Sequence, residues 1–154
     1  MPNSTQPAET IGFIGIGLMG HGIAKNIVEK KYPLTFLGRS NRGPADDLAS
    51  RGAFEVKSAS EVAARSSIVF LCVTGSPQVE AIVRGSDGLK DGLKPGSIIV
   101  DCSTADPNST LALAAELAPL GIGYVDAPLS RTPKEAWVGT LDTMVGCSDG
   151  VLPA

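Results

Sequence analysis

The sequence has few metal-ligating and thiol side chains. Its 154 residues include one histidine and three cysteines. Because a zinc-type site needs several histidine or cysteine ligands, we expect no metal. Cys72 and Cys102 lie in the apolar runs SIVFLCVT and SIIVDCST, where we predict buried, unreactive thiols, and Cys147 lies far from both. This cysteine usage indicates a cytoplasmic protein.

A basic excess and long apolar segments are also missing. The net charge is −3 and the isoelectric point is near 5.1, which argues against a nucleic acid or an anionic membrane surface as the partner. No apolar run reaches the roughly 18 residues of a membrane span. Residues 1–10 lack the basic start and apolar centre of a signal peptide. We expect residues 1–9 to be a flexible leader and residues 10–154 to form one domain.

Short apolar runs alternate with segments of helical character. Strands are predicted over residues 10–17, 33–38, 67–73, 96–103, 122–128 and 139–147. Helices are predicted over residues 19–31, 42–52, 58–66, 76–85 and 106–121. This alternation indicates an α/β fold with a doubly wound, mostly parallel sheet and helices on both faces.

Three glycines stand between the first strand and the first helix, in IGFIGIGLMGHGIAKNIVE. Gly15, Gly17 and Gly20 have the spacing G-x-G-x-x-G. In a dinucleotide-binding turn the first permits the turn, the second lets a pyrophosphate approach the backbone, and the third lets helix and strand pack closely. The alternative is a purely structural turn. The context favours a dinucleotide cofactor and a Rossmann-type fold, and we interpret His21 as a solvated residue of the first helical turn.

The end of the second strand, TFLGRSNRG, carries basic instead of acidic residues, and no acid precedes Asp46. An acid there would hydrogen-bond the ribose 2′-hydroxyl of NAD, whereas a basic residue suits the 2′-phosphate of NADP. Arg39 can stack on the adenine or bind phosphate, and Ser40, Asn41 and Arg42 add donors and charge. NADP is therefore favoured, with NAD as the alternative. The other interpretation of the arginines is as solvated loop residues.

Three segments resemble the β-hydroxyacid dehydrogenases, a family that includes 3-hydroxyisobutyrate dehydrogenase, tartronate semialdehyde reductases and, more distantly, 6-phosphogluconate dehydrogenase. IGFIGIGLMGHGIAKNI resembles the family's cofactor fingerprint, VDCSTADP its D-x-S-T segment, and DAPLSRTPKEAWVGTLDTMVG its substrate-binding segment. Together they span residues 11–146 in the family's order. The resemblance implies hydride transfer between NADP(H) and a small β-hydroxyacid or its semialdehyde.

The resemblance also assigns roles to single positions. Implied cofactor contacts are Gly15, Gly17, Leu18, Met19 and Gly20 at the pyrophosphate, Arg39, Ser40, Asn41 and Arg42 at the 2′-phosphate, Val73 and Thr74 at the nicotinamide ribose, and Thr104 at the nicotinamide. Implied substrate contacts are Ser103, beside the nicotinamide, and Ser130, at the substrate carboxylate. These residues follow the carboxyl ends of predicted strands, where open α/β sheets place their ligands.

The substrate segment departs from the family at Arg131 and Thr132, where the family has Gly-Gly. The guanidinium of Arg131 can pair with both oxygens of a carboxylate, sulfonate or phosphate. A similar Arg-Thr pair occurs in the branch that resembles sulfolactaldehyde and succinic semialdehyde reductases. We therefore expect a small anionic substrate contacted by Arg131 and Thr132. The other interpretation places Arg131 at the surface or between domains.

The family's general acid/base is a lysine in a G-x-x-G-x-x-x-K-x-x-N pattern on a helix that leads into a second, helical domain. These 154 residues contain neither, and Lys134 does not match the pattern, so no catalytic residue is assigned. We expect the chain to be the N-terminal NADP-binding domain of a longer, homo-oligomeric enzyme, inactive alone. The alternative is a non-catalytic NADP-binding module.

Overall fold

The computed structural model describes residues 9–152, so the predicted leader lies, except for its last residue, outside the described part. The strands are β1 (Ile11–Ile14), β2 (Leu34–Leu37), β3 (Phe54–Val56), β4 (Ile68–Leu71), β5 (Ile98–Asp101), β6 (Gly123–Asp126), β7 (Leu129–Ser130), β8 (Asp142–Thr143) and β9 (Gly146–Cys147). Seven of them form one sheet in the order β3-β2-β1-β4-β5-β6-β9. All pairs between β3 and β6 are parallel, and β9 is antiparallel to β6. The predicted Rossmann-type, doubly wound and mostly parallel sheet is thereby confirmed.

Helices connect the parallel strands. They are α1 (Leu18–Glu29), α2 (Arg42–Ser50), α3 (Ala59–Ala64), α4 (Ser76–Arg84), α5 (Leu89–Gly92), α6 (Pro107–Leu117) and α7 (Pro133–Val138), with a 3-10 turn at Ala118–Leu120. The sequence predicted α1, α2, α3, α4 and α6, but neither α5 nor α7. In the part of the chain that the structure describes, no helix combines the length and the apolar character needed to cross a membrane.

The predicted strand over residues 139–147 is wrong. Gly139 ends α7 in the left-handed conformation, with φ at 77°. The following residues form two strands of two residues each, β8 paired with β7 in a separate sheet and β9 paired with β6. The apolar residues between them do not form one continuous strand because the chain changes sheet within this segment. Met144, for example, is 80% exposed.

Both faces of the parallel sheet are buried. Phe13 of β1 packs with Phe36 and Leu48 on the face covered by α1 and α2. Its neighbour Ile14 points to the opposite face and packs with Leu71, as the alternation of side chains along a strand requires. Close packing on both faces of the sheet makes the strands rigid. The loops at their carboxyl ends are therefore held in defined positions.

Candidate functional site

The sheet reverses its winding between β1 and β4, and a groove opens at their carboxyl ends. Ile14 lies opposite Leu71 in the β1–β4 register, so the residues that follow, Gly15 and Cys72, lie side by side. The groove has a volume of about 430 Å³ and is lined by Gly15, Ile16, Gly17, Arg39, Asn41, Cys72, Val73, Thr74 and Gln78. Open α/β sheets bind their ligands at such a switch point. Six of the predicted cofactor residues therefore lie in one groove.

The three glycines of the first turn serve different purposes. Gly15 has φ at 101°, and a Cβ there would overlap the backbone carbonyl of Cys72. A Cβ at Gly20 would overlap the carbonyl oxygen of Gly15. Gly17 has an ordinary φ of −78°, and a Cβ there would meet no atom within 4 Å. Packing explains Gly15 and Gly20, whereas the space in front of Gly17 is free for a bound group.

The helices that begin at this groove have uncapped amino ends. α1 begins after Gly17 and α4 after Gly75, and neither has a side-chain cap. Asn41, Ser58 and Asp106 do cap α2, α3 and α6. The first amides of a helix have no partner within the helix, so those of α1 and α4 remain available as donors to an anion.

The side chains in the first turn of α1 leave its backbone amides open to an anion. Leu18 is 84% exposed, Met19 is half-buried and Gly20 is buried. The Leu18 and Met19 side chains therefore border solvent while the helix itself stays packed on β1. An anion in front of Gly17 meets the backbone amides and the positive end of the helix dipole.

The two arginines after β2 differ in their partners. Arg42 donates to both carboxylate oxygens of Glu55, at 2.6 and 2.9 Å, and to Asp46 at 2.8 Å. These contacts raise the pKa of Arg42 and lower that of Glu55. The Arg42 guanidinium is therefore engaged by Glu55 and Asp46, and the contact of Arg42 with a 2′-phosphate stays a prediction. Among residues 9–152, the exposed side chain of Arg39 has no hydrogen-bond or ion-pair partner, and it lines the groove.

The two residues between the arginines are only partly available. The side-chain oxygen of Asn41 accepts a hydrogen bond from the Gly43 amide at 3.3 Å. The side-chain nitrogen, Nδ2, is left to donate to a ligand in the groove. Ser40 is exposed beside Arg39 but does not line the groove. Its contact with cofactor stays a prediction.

Ser103 is a structural residue of the crevice wall. It is 2% exposed, and its hydroxyl accepts a hydrogen bond from the Val73 amide at 3.0 Å. This hydrogen bond orders the chain at Val73, and the contact between Ser103 and a substrate stays a prediction. The exposed residue next to it is Thr104, whose carbonyl oxygen lies 3.7 Å from the place of a Cβ on Gly75.

A buried carboxylate supports this wall. Asp101 is fully buried and accepts hydrogen bonds from the Ser103 amide at 2.9 Å and from the Tyr124 hydroxyl at 2.8 Å. Burial and the charge of Asp101 raise the pKa of Tyr124, so the phenol keeps its proton and donates. Burial and the same charge also raise the pKa of Asp126, the residue opposite Asp101 in β6.

The predicted substrate residues lie on a different part of the surface. Ser130 donates weakly to the Asp142 carbonyl at 3.4 Å. Arg131 has φ at 76°, and its Nε donates to the Asp142 carboxylate at 2.5 Å. Thr132 caps α7, and its backbone amide donates to Glu135 at 3.0 Å. All three are exposed, and none of them lines the groove at Gly17.

His21 is not the solvated residue that the sequence predicts. Its Nε2 lies 2.7 Å from the Asp47 carboxylate, and its ring meets Trp137 edge-on at 5.2 Å. Asp47 also accepts from Arg51 at 2.9 Å. The hydrogen bond from Arg51 has the larger effect and the one with His21 the smaller, and both lower the pKa of Asp47. His21 therefore joins α1 to α2 and α7.

Sequence reasoning missed two polar residues of the groove wall. Gln78 is exposed in the first turn of α4 and lines the groove. Its place after β4, the strand next to β1, is the signal that points to it. Cys72 also lines the groove although it is half-buried; burial raises its pKa to about 11, and that of Cys102 to about 12. Both thiols stay protonated at neutral pH, as predicted from their apolar runs.

Comparison with known proteins gives a consistent set of relatives. The family of the NAD-binding domain of 6-phosphogluconate dehydrogenase matches residues 10–154. The chain is 38% identical over 142 residues to 2-hydroxy-3-oxopropionate reductase of Escherichia coli, an alignment that covers 92% of this chain and 48% of that protein.

Two solved structures have the same fold. Psf3 in complex with NADP+ and 2-OPP has a TM-score of 0.83 at 30% identity, over 91% of this chain and 49% of that one. The 3-hydroxyisobutyrate dehydrogenase of Mycobacterium tuberculosis with L-serine has a TM-score of 0.83 at 26% identity. The match covers 93% of this chain and 48% of that chain. The chain spans about half the length of the curated relatives it matches.

Proposed function

This chain belongs to the family of the NAD-binding domain of 6-phosphogluconate dehydrogenase, and from that membership we propose that it binds NADP as the cofactor domain of an oxidoreductase. Residues 10–154 are the extent that we propose for this domain. The relatives' longer chains lead us to propose that the whole protein has a further domain.

One observation carries the proposal. The space in front of Gly17 is free of protein atoms within 4 Å of a Cβ position, and α1 begins after Gly17 without a side-chain cap. No packing requirement explains a glycine with ordinary φ at this position. A diphosphate that must approach the backbone closely does explain it.

The preference for NADP rests on Arg39. Its guanidinium lines the groove together with Asn41, and the end of β2 is the place where the adenosine ribose lies in this fold. A planar, permanently charged guanidinium matches a phosphate better than a ribose hydroxyl. The complex of Psf3 with NADP+ supports the same choice.

The reaction that we propose uses the hydride that a bound nicotinamide cofactor supplies. The residues of this chain bind and orient: the turn at Gly17 for the diphosphate, Arg39 for the 2′-phosphate, and Val73, Thr74 and Thr104 along the nicotinamide half. Orientation of this kind accounts for a large part of the rate in such transfers, because the reacting atoms must be held in place.

A small anionic hydroxyacid or semialdehyde is the substrate class that we propose. Among residues 9–152, Arg131 offers a half-exposed guanidinium whose ion-pair partner is Asp142, and Ser130 and Thr132 flank it at exposed positions. The Escherichia coli relative is named for a small acid of this class, 2-hydroxy-3-oxopropionate.

The three unpaired thiols fit a reducing compartment, so we propose a cytoplasmic location. We also propose that the longer protein is a homo-oligomer.

A nucleotide titration tests the proposal. The chain is added to NADPH and to NADH while the fluorescence of the reduced nicotinamide is recorded. We expect both to bind, with NADPH at least about tenfold tighter, equal to about 1.4 kcal/mol. Unchanged fluorescence of both nucleotides at saturating protein would overturn cofactor binding. Equal affinities would overturn the preference for NADP alone.

A further inference from the structure

The helix that follows the substrate residues packs directly on the helix that begins at the cofactor groove. A Cβ on Gly22 of α1 would lie 2.7 Å from the carbonyl carbon of Ala136 and 2.8 Å from the amide nitrogen of Trp137. A side chain at Gly22 would therefore separate the helices, and the backbone of α7 lies against α1 because only a hydrogen atom intervenes.

Asn26, one turn further along α1, binds the end of α7. Its Nδ2 donates to the carbonyl oxygens of Ala136 at 2.8 Å and Trp137 at 3.2 Å, and also to Gly22 at 2.8 Å. Carbonyls in the last turn of a helix lack partners within the helix. The side chain of Asn26 supplies those partners, while Gly139 turns the chain away beside it, its Cβ position 3.1 Å from Asn26 Oδ1.

Trp137 is surrounded by charged groups of α1 and α2. Lys25 lies 4.7 Å and Arg51 5.7 Å from its ring centroid, and the His21 ring is edge-on at 5.2 Å. Lys25 also donates to the Trp137 carbonyl at 3.2 Å. Trp137 is the single tryptophan of the sequence, so all tryptophan emission of the chain comes from α7.

These contacts make α1 the common support of two sites. Its first turn faces the groove at Gly17, and Asn26 holds α7, whose N-cap residue Thr132 lies next to Arg131. We propose that Asn26 is a positioning residue, which sets Arg131 and Thr132 at a fixed place relative to the bound cofactor. This inference rests on the proposed function, because it gives those residues a substrate to meet. Asn26 itself does not line the groove at Gly17.

The substitution Asn26→Asp tests the proposal in this chain. It keeps the size of the side chain but presents an acceptor to the Ala136 and Trp137 carbonyls in place of a donor, which removes the bonds and adds repulsion. Asn108→Asp is the matched control, since Asn108 is exposed in the first turn of α6, remote from α7. If Asn26→Asp does not fold, Asn26→Ser, which keeps one donor, replaces it.

Three measurements are made on each variant: amide exchange over residues 135–139, the affinity for NADPH, and the change of Trp137 emission when succinate is added to the NADP+-loaded chain. In Asn26→Asp we expect exchange to become about tenfold faster in that segment and succinate to bind about tenfold more weakly. The affinity for NADPH stays within about twofold, because the first turn of α1 is untouched. Asn108→Asp leaves all three unchanged.

The outcomes separate this inference from the proposed function. Unchanged exchange over residues 135–139 in Asn26→Asp overturns the inference, and so does faster exchange with an unchanged affinity for succinate. Loss of succinate and NADPH binding together, with faster exchange in α6 as well, also overturns it, because the residue is then needed for the fold in general. Failure of the wild-type chain to bind NADPH overturns the proposed function instead, and a wild-type chain that binds NADP+ but gives no response to succinate overturns the substrate class.

Discussion

The Cα of Gly20 faces the carbonyl oxygen of Gly15 so closely that a Cβ on Gly20 would overlap that oxygen. Helix α1 can therefore approach the end of β1 only with a hydrogen atom at residue 20. The same contact holds Gly15 in its left-handed conformation against Cys72. The turn is rigid on the protein side, and only Gly17 faces open space.

The substitution Gly20→Ala is expected to lower the free energy of unfolding by about 1–3 kcal/mol, because the added methyl group must displace backbone. Urea denaturation followed by circular dichroism measures it. Gly43→Ala is the control: Gly43 lies in α2, and its Cβ position is 3.6 Å from Asn41 Oδ1, an ordinary contact. There we expect a gain of about 0.5–1 kcal/mol from helix propensity. Equal losses at both positions would contradict the packing argument.

The arginines after β2 are expected to differ in their effect on the cofactor. Arg39→Gln removes the free guanidinium and weakens NADPH binding by about tenfold, while the affinity for NADH changes little. Arg42→Gln is the matched change at the arginine already bound by Glu55 and Asp46, and we expect less than about a twofold effect on either nucleotide. Fluorescence titration measures all four affinities. If Arg42→Gln has the larger effect on NADPH, the assignment of the phosphate to Arg39 is wrong.

Asp142 is ion-paired with Arg131, so we expect it to compete with a substrate anion for that guanidinium. Asp142→Asn removes the negative partner of the Arg131 guanidinium, and we expect succinate to bind the NADP+-loaded chain about two- to fivefold tighter, the effect of one exposed ion pair. Trp137 emission or calorimetry reports the affinity. Asp149→Asn, an exposed position of the same charge, is the control. A weaker or equal affinity in Asp142→Asn would show that Arg131 does not bind the anion.

Arg131→Gly is the complementary change. Glycine adopts φ at 76° without the strain that a side chain causes, so the segment between β7 and α7 is expected to fold as before. Succinate binding, by contrast, is expected to fall by about tenfold or more because the guanidinium is gone. Retained affinity for succinate with an unchanged fold would remove Arg131 from the proposed site.

The thiols are expected to react at very different rates. Cys147 is exposed, whereas burial raises the pKa of Cys72 to about 11 and that of Cys102 to about 12. At pH 8 an aromatic disulfide reagent titrates one fast thiol in the folded chain and three after unfolding, since the thiolate is the nucleophile. Cys147→Ser removes the fast phase. A fast phase that survives this change would contradict the low reactivity expected of half-buried Cys72 and buried Cys102.

Raised thiol pKa values in the folded chain also imply that the free energy of unfolding decreases as the pH rises above about 9.

Much of the fold was predictable because local signals and the global topology agree. The strands of SIVFLCV and GSIIVDCS have continuous apolar centres, IVFLCV and IIV, as is typical of strands buried on both faces. Glycine and proline marked the starts and ends of most helices. The glycine turn of the cofactor site was predictable for the same reason, since its function requires particular residues at a fixed spacing.

The errors arose where distant contacts decide the structure. Glu55, which occupies Arg42, lies on β3, a strand of three residues that the sequence analysis did not predict. Asp47, the partner of His21, is 26 positions away. Asn26 of α1 stabilises the short helix α7 by donating hydrogen bonds to its last turn, at the carbonyl of Trp137 among others. The six residues of α7 themselves carry little periodic signal. No local pattern contains this information.

Gly17→Asp tests cofactor binding at the glycine turn most directly. Aspartate is a favourable amino-terminal cap and interacts well with the helix dipole, and its Cβ meets no protein atom within 4 Å. The account predicts a chain that unfolds at equal or higher urea concentration yet binds NADPH at least about a hundredfold more weakly, because the carboxylate takes the place of the diphosphate and repels it. A variant of equal or greater stability that binds NADPH with unchanged affinity would contradict it.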